Sequence, residues 1–127
     1  WACLILQRNP KGGEIWQNVT GSVDKGETFE EGALRETQEE TGLALENIVD
    51  ITELGLIFNF TDRWKRKVEE RTYLIVCGEQ WKPTLDKSEH GNWRWISLDE
   101  ATPSLLEWES NNEVLQKAVR VLRRTAA

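Results

Sequence analysis

Apolar and polar positions alternate in short blocks along the chain, and the blocks predict its elements. Ala2 to Leu6 is a continuous apolar run closed by Gln7-Arg8, the pattern of a buried strand. Asn9-Pro10-Lys11-Gly12-Gly13 reads as a turn, and Ile15 to Val19 as a second short strand. Ile51 to Phe60, Thr72 to Gly78 and Asn92 to Leu98 are further strands. In the last of these, Trp93 and Trp95 share one face and Arg94 takes the other. The polar stretch Thr61 to Arg71, with its basic run Arg63-Trp64-Lys65-Arg66-Lys67, reads as a long hairpin loop.

A helical period appears twice. Thr28-Phe29-Glu30-Glu31 fits a capping box and opens a helix that Gly42 ends in a left-handed conformation. Phe29, Ala33 and Thr37 recur every four residues and are expected to face the core. Ser110-Asn111-Asn112-Glu113 is read as a second capping box, with Ser110 as the cap. Beyond it Val114, Leu115, Ala118, Val119 and Leu122 form one apolar stripe. Strands and helices mix without regular βαβ alternation, which predicts a mixed sheet between helices.

Composition narrows the function classes. With 127 residues the chain suits one domain, 1-127, around one core, and no linker, repeat or low-complexity segment divides it. A hydrophobic fraction of 39% and seven Trp residues indicate a folded globule. No apolar run approaches the roughly 20 residues of a membrane span. The net charge of −6 speaks against binding long nucleic acids, which requires a basic face. A small phosphorylated substrate remains compatible with it, because a bound cation can supply positive charge. Cys3 and Cys77 lie in apolar strands without C-x-x-C spacing and read as two buried thiols in a reducing, cytoplasmic setting. Nothing in the chain fixes its state as monomer or homodimer.

The acidic character concentrates in the first helix. Glu36 and Glu40 lie four apart on one face with Glu39 beside them, and Arg35 can pair with Glu31 or Glu39. Such crowding costs an isolated helix ~0.2–0.5 kcal/mol per pair. An acidic face is usually just solvated; here its spacing is specific. Gly21 is followed after five residues by Glu27, then after seven by Arg35-Glu36, then by Glu39-Glu40 and Gly42-Leu43.

This spacing resembles the Nudix box, G-x5-E-x7-R-E-U-x-E-E-x-G-U, with Thr37 where an aliphatic residue belongs. The resemblance implies an α/β/α sandwich around a mixed sheet, and an Mg²⁺- or Mn²⁺-dependent hydrolase of phosphoanhydrides. By position it implies Glu36, Glu39 and Glu40 as metal ligands, with the Gly21 carbonyl as an additional one. Arg35 would hold a carboxylate in place, and Glu27 would brace the loop-to-helix junction. Mg²⁺ takes hard oxygen ligands and lowers the pKa of bound water, so such carboxylates fit the chemistry.

Trp16-Gln17-Asn18-Val19-Thr20-Gly21-Ser22-Val23 lacks the Pro that many members carry before the box. That segment, with Glu89-His90, Arg94-Trp95, Trp108 and Ser110-Asn111, is similar to the dihydroneopterin triphosphate pyrophosphatase branch. It implies Arg8 and Thr20 as substrate contacts, and Glu89 as a metal ligand or general base. Arg8 reads equally as an ordinary strand-end cation, and Glu89 also as a solvated loop acid. At most one Trp, Trp108 or Trp16, is expected to stack a pterin or purine ring. The branch also has a first strand upstream of Ala2. The expected reaction splits a nucleoside or pterin triphosphate into monophosphate and pyrophosphate. Hydrolysis of dinucleoside polyphosphates or of RNA 5′-triphosphate ends, and non-catalytic nucleotide binding, are the alternatives.

Overall fold

The structure, a computed structural model, describes residues 1–126. In chain order it comprises β1 (Ala2–Arg8), β2 (Trp16–Gln17), α1 (Phe29–Thr41), β3 (Ile48–Thr61), β4 (Lys67–Cys77), β5 (His90–Ser97) and α2 (Glu109–Ala126). The strands form two antiparallel sheets, ordered β2-β1-β5 and β3-β4, with helices packed on them in an α+β sandwich. β1 is central because its apolar run is covered on both sides, and Ile5 and Leu6 are essentially inaccessible. The main core unites Ile5 and Ile96 of the first sheet with Leu115 and Val119 of α2, and with Ala101 and Leu106 from the segment before it. Each such buried aliphatic side chain contributes ~1.5–3 kcal/mol.

Several sequence expectations change in detail. The Thr61 to Arg71 loop shrinks to the turn at 62–66, because Phe60 pairs with Val68 and Thr61 with Lys67 across the ribbon. Asp62 organises that turn by accepting from the Trp64 and Arg66 amides, each at 2.9 Å. The Arg63 and Arg66 guanidiniums stack over Trp64 at 4.2 and 4.9 Å. The second strand is confined to Trp16–Gln17. Ser110 is not the cap of α2, which begins at Glu109. The turn entering α2 is instead held by Asn112, whose side chain bonds both the amide and the carbonyl of Leu106. Phe29, Ala33 and Thr37 are half-buried and lie outside the main core cluster, with the Arg71 guanidinium 4.4 Å over the Phe29 ring. Cys3 and Cys77 are unpaired and half-buried, and burial pushes both thiols up. Among the described residues, no helix is long and apolar enough to cross a membrane.

Candidate active site

The capping box forms as the sequence predicts. Thr28 accepts from the Glu31 amide and Glu31 from the Thr28 amide, both at 3.1 Å. Gly42 closes α1 at φ 70°, its amide donating to Gln38. Thr37 turns its hydroxyl back to the Ala33 carbonyl at 2.7 Å, so a polar residue replaces the aliphatic one without leaving a bare donor.

Arg35 spends its fork on the strands of negative charge around it. It donates to Glu27 at 2.8 and 3.1 Å, to Glu36 at 3.0 Å, to Glu39 at 3.1 Å and to the Ser22 carbonyl at 2.7 Å. This bidentate contact holds the Glu27 carboxyl below its usual range, with the Asp24 amide assisting. Glu31, committed to the cap, is not an Arg35 partner.

Gly21 lies against the Glu36 carboxylate so closely that a Cβ would overlap it. Gly21→Ala is therefore expected to displace Glu36 from Arg35 and to lower turnover about tenfold with little change in melting temperature, since residue 21 is exposed. Unchanged turnover would mean that Glu36 need not sit there.

The other half of the site comes from the segment between β4 and β5. Trp81 Nε1 and the Thr84 amide both donate to the Thr41 carbonyl, at 2.9 and 3.0 Å, which ties this segment to the end of α1. A turn at Asp86 then accepts from the Glu89 and His90 amides, and the Glu89 carbonyl receives the Asn9 amide from the end of β1. These ties bring Glu89 and His90 to Glu40. One ligand-capable atom from each of the three lies within 4.8 Å of the others.

Glu40 is 3% exposed and its Oε2 lies 2.9 Å from His90 Nδ1. Burial, a hydrogen bond and charge from Glu89, and the charges of Glu36 and Asp86 push its carboxyl up to about 8. Burial also pushes His90 down, so the ring is neutral at its ordinary titration range.

A cavity of about 160 Å³ opens beside these groups. Arg8, Thr20, Gly21, Glu36 and Glu89 line it together with Gln17, Ser22 and His90. Glu40 stands behind His90, and Glu39 is exposed at the Arg35 end. Trp108 is outside the lining, 41% exposed, with the Arg8 guanidinium 6.0 Å from its ring. Trp16 is half-buried and packs against the core, outside the cavity lining. Trp81 and Trp95 meet edge to face at 5.1 Å and anchor the segment leading to Glu89.

Gln17 and His90 are the site residues that the sequence reading left without a role. The available signals are slight: Gln17 is a polar residue inside the predicted strand Ile15 to Val19, and His90 is the chain's single histidine, beside Glu89.

The NUDIX domain model matches residues 2–118. The chain is 34% identical over 125 residues to the rat (Rattus norvegicus) bis(5′-nucleosyl)-tetraphosphatase [asymmetrical], covering 98% of this chain and 82% of that one. It is 30% identical to the RNA pyrophosphohydrolase of Azorhizobium caulinodans, covering 87% of this chain and 74% of that one. Among solved structures it superposes on the E. coli dihydroneopterin triphosphate pyrophosphohydrolase with a TM-score of 0.77 at 24% identity, covering 94% and 86%. A C. elegans Ap4A hydrolase binary complex gives 0.76, also at 24% identity, covering 97% and 87%. These two structural likenesses establish the fold. The family match and the sequence relatives, set on a helix that carries Glu36, Glu39 and Glu40 of the box with Glu27 just before its cap, show that the chain belongs to the NUDIX domain family, as a hydrolase of phosphoric anhydride bonds.

Proposed function

We propose that the protein is a divalent-metal-dependent pyrophosphohydrolase that splits a nucleoside or pterin triphosphate into a monophosphate and pyrophosphate. The observation that carries this reading is one cavity whose lining joins Glu36 and Glu89 to the Arg8 guanidinium and the Thr20 hydroxyl. The carboxylates would hold the cation, and Arg8 and Thr20 would take phosphate oxygens.

The donor set fits Mg²⁺ or Mn²⁺. Glu36, Glu40 and Glu89 offer hard oxygens, Glu39 stands at the exposed edge, and Gly21, whose carbonyl is the further candidate ligand, lines the same cavity as Glu36. Glu40 also carries an unfavourable charge that a cation would relieve. When bound, such an ion neutralises phosphate charge and makes a coordinated water more acidic.

The remaining work falls to the chain. Arg35 holds Glu36 and Glu39 at their angles, and Glu27 and the Ser22 carbonyl hold Arg35. Glu89 is the exposed acid of the cavity lining and would accept a proton from the attacking water. A cavity of about 160 Å³ suits part of a phosphate chain rather than a whole nucleotide. The ring of the substrate therefore sits outside it, where Trp108 offers an exposed face beside Arg8. The unpaired thiols Cys3 and Cys77 fit a cytoplasmic setting.

A second reading, asymmetric hydrolysis of dinucleoside tetraphosphates, is favoured by the 34% identity to the rat tetraphosphatase. Turnover measured with Mg²⁺ on dihydroneopterin triphosphate, dATP, diadenosine tetraphosphate and 5′-triphosphorylated RNA separates the two. Preferred pyrophosphate release from the first pair is expected. Preferred turnover of the tetraphosphate would replace that reading with the second.

A further inference from the structure

The reading above leaves one buried group of the site without a role, the Gln17 carboxamide. Gln17 is 1% exposed, pairs with Leu6 in the β1–β2 register and lines the cavity. Its Nε2 lies 2.8 Å from His90 Nε2, in the interior. A second contact of the same nitrogen reaches the Thr20 hydroxyl oxygen at 3.5 Å, which accepts in this direction. Oε1 has no protein partner.

An amide nitrogen only donates. The ring nitrogen facing it must then be bare, and a neutral imidazole with a bare Nε2 carries its proton on Nδ1. That proton points at Glu40 Oε2, 2.9 Å away. The reverse amide orientation would draw the proton to Nε2 and leave Nδ1 without a hydrogen for Glu40. Gln17, His90 and Glu40 come from β2, β5 and α1, so the three-residue line also joins the first sheet to the acidic helix.

We propose that Gln17 is a positioning residue: it selects the Nδ1–H tautomer of His90, which commits one oxygen of Glu40 and presents the other to a divalent cation. This rests on the metal-dependent reading given above. A histidine N–H that fixes a ligating carboxylate acts as outer hydrogen-bond partners of metal ligands do, and loss of such a partner typically weakens metal binding about 10–100-fold.

The chain has a single histidine, so its two ring nitrogens give unambiguous ¹⁵N resonances. Long-range ¹H–¹⁵N spectra of the whole protein at neutral pH are expected to show a protonated Nδ1 and a bare Nε2. In Gln17→Met, which keeps the volume but loses the donor, the Nε2–H tautomer is expected to appear. Mn²⁺ affinity of the same variant, titrated by electron paramagnetic resonance without substrate, is expected to fall about tenfold. A purely structural loss in this variant would lower stability without changing the tautomer. A proton on Nε2 in the parent protein would overturn the proposal with no variant needed, as would a Gln17→Met protein whose Mn²⁺ affinity stays within about twofold of the parent's. A parent protein that binds no Mn²⁺ at all would instead overturn the metal-dependent reading, with the tautomer still measurable.

Discussion

Glu40→Gln is expected to lose more than about 100-fold in turnover while its metal-free form melts at a higher temperature than the parent near pH 8. The loss follows from position. Glu40 is a candidate ligand held by His90 on one oxygen, and removal of mere partners of metal ligands already costs about 10–100-fold. The gain follows from charge. In the parent, an ionised Glu40 is buried beside Glu89, Glu36 and Asp86, which is why its carboxyl is pushed up to about 8. Glutamine is the uncharged image of the protonated acid: its oxygen can accept from His90 Nδ1, and its amide brings no charge beside Glu89. The variant thus keeps the bond to His90 and drops the repulsion. Pyrophosphate release and a thermal melt in the presence of a chelator measure the two effects. Full turnover would remove Glu40 from the metal site. An unchanged melting temperature near pH 8 would show that the buried charge is not strained.

The parts of this site that the sequence makes legible are those whose signals lie close together along the chain. The helix α1 announces itself because its signals are local: a capping box at Thr28, a left-handed Gly42 and charges at helical spacing. The strand β1 is legible for the same reason, as an apolar run long enough to be read without its partners. The partnership of Arg35 with Glu27 spans eight residues across the helix cap, and helical spacing, which pairs Arg35 with Glu31 or Glu39, does not reveal it. The long ribbon is read short because Lys67 to Arg71 is polar on a face that is exposed, and polarity there carries no alternation to mark a strand. Gln17 and His90 are invisible as a pair because 73 positions separate them and only the β1–β2 and β1–β5 pairings bring them together. The same holds for Glu89, whose approach to Glu40 depends on Trp81 and Thr84 bonding the Thr41 carbonyl. Local chemistry can be counted along a chain, whereas a site closed by sheet registry needs the fold.

The metal-free protein is expected to lose stability as pH rises from about 6.5 to about 8, and Mg²⁺ is expected to abolish that loss. The sign comes from Glu40. Its folded value, about 8, lies above the ordinary 4.5, so between those limits the folded chain holds a proton that the unfolded chain has released. Stability then falls with rising pH, because the native state binds more protons. His90 works the other way below its ordinary 6.5: burial keeps it neutral when folded, so unfolding takes up a proton and acid destabilises. The lowered carboxyls Glu27, Asp62, Asp86 and Glu100 contribute only in stronger acid, where stability is lost as pH falls through their folded values. Burial also raises the Glu70 carboxyl, which adds to the loss as pH climbs above its ordinary 4.5 but by less than Glu40, and the raised Cys3, Cys77 and Tyr73 act only in more alkaline solution. Glu40 therefore governs the window from about 6.5 to about 8, where the chelated protein should lose at least about 2 °C in melting temperature. Metal ligation requires the ionised carboxylate, so Mg²⁺ affinity should climb with pH across the window, by up to about tenfold per unit, with release of one proton per site. Calorimetric titration of Mg²⁺ in buffers of different ionisation enthalpy counts that proton directly. Glu40→Gln should flatten both the melting profile and the affinity profile. Proton-independent Mg²⁺ binding by the parent would place the cation away from Glu40, on the Glu36 and Glu39 side of the helix.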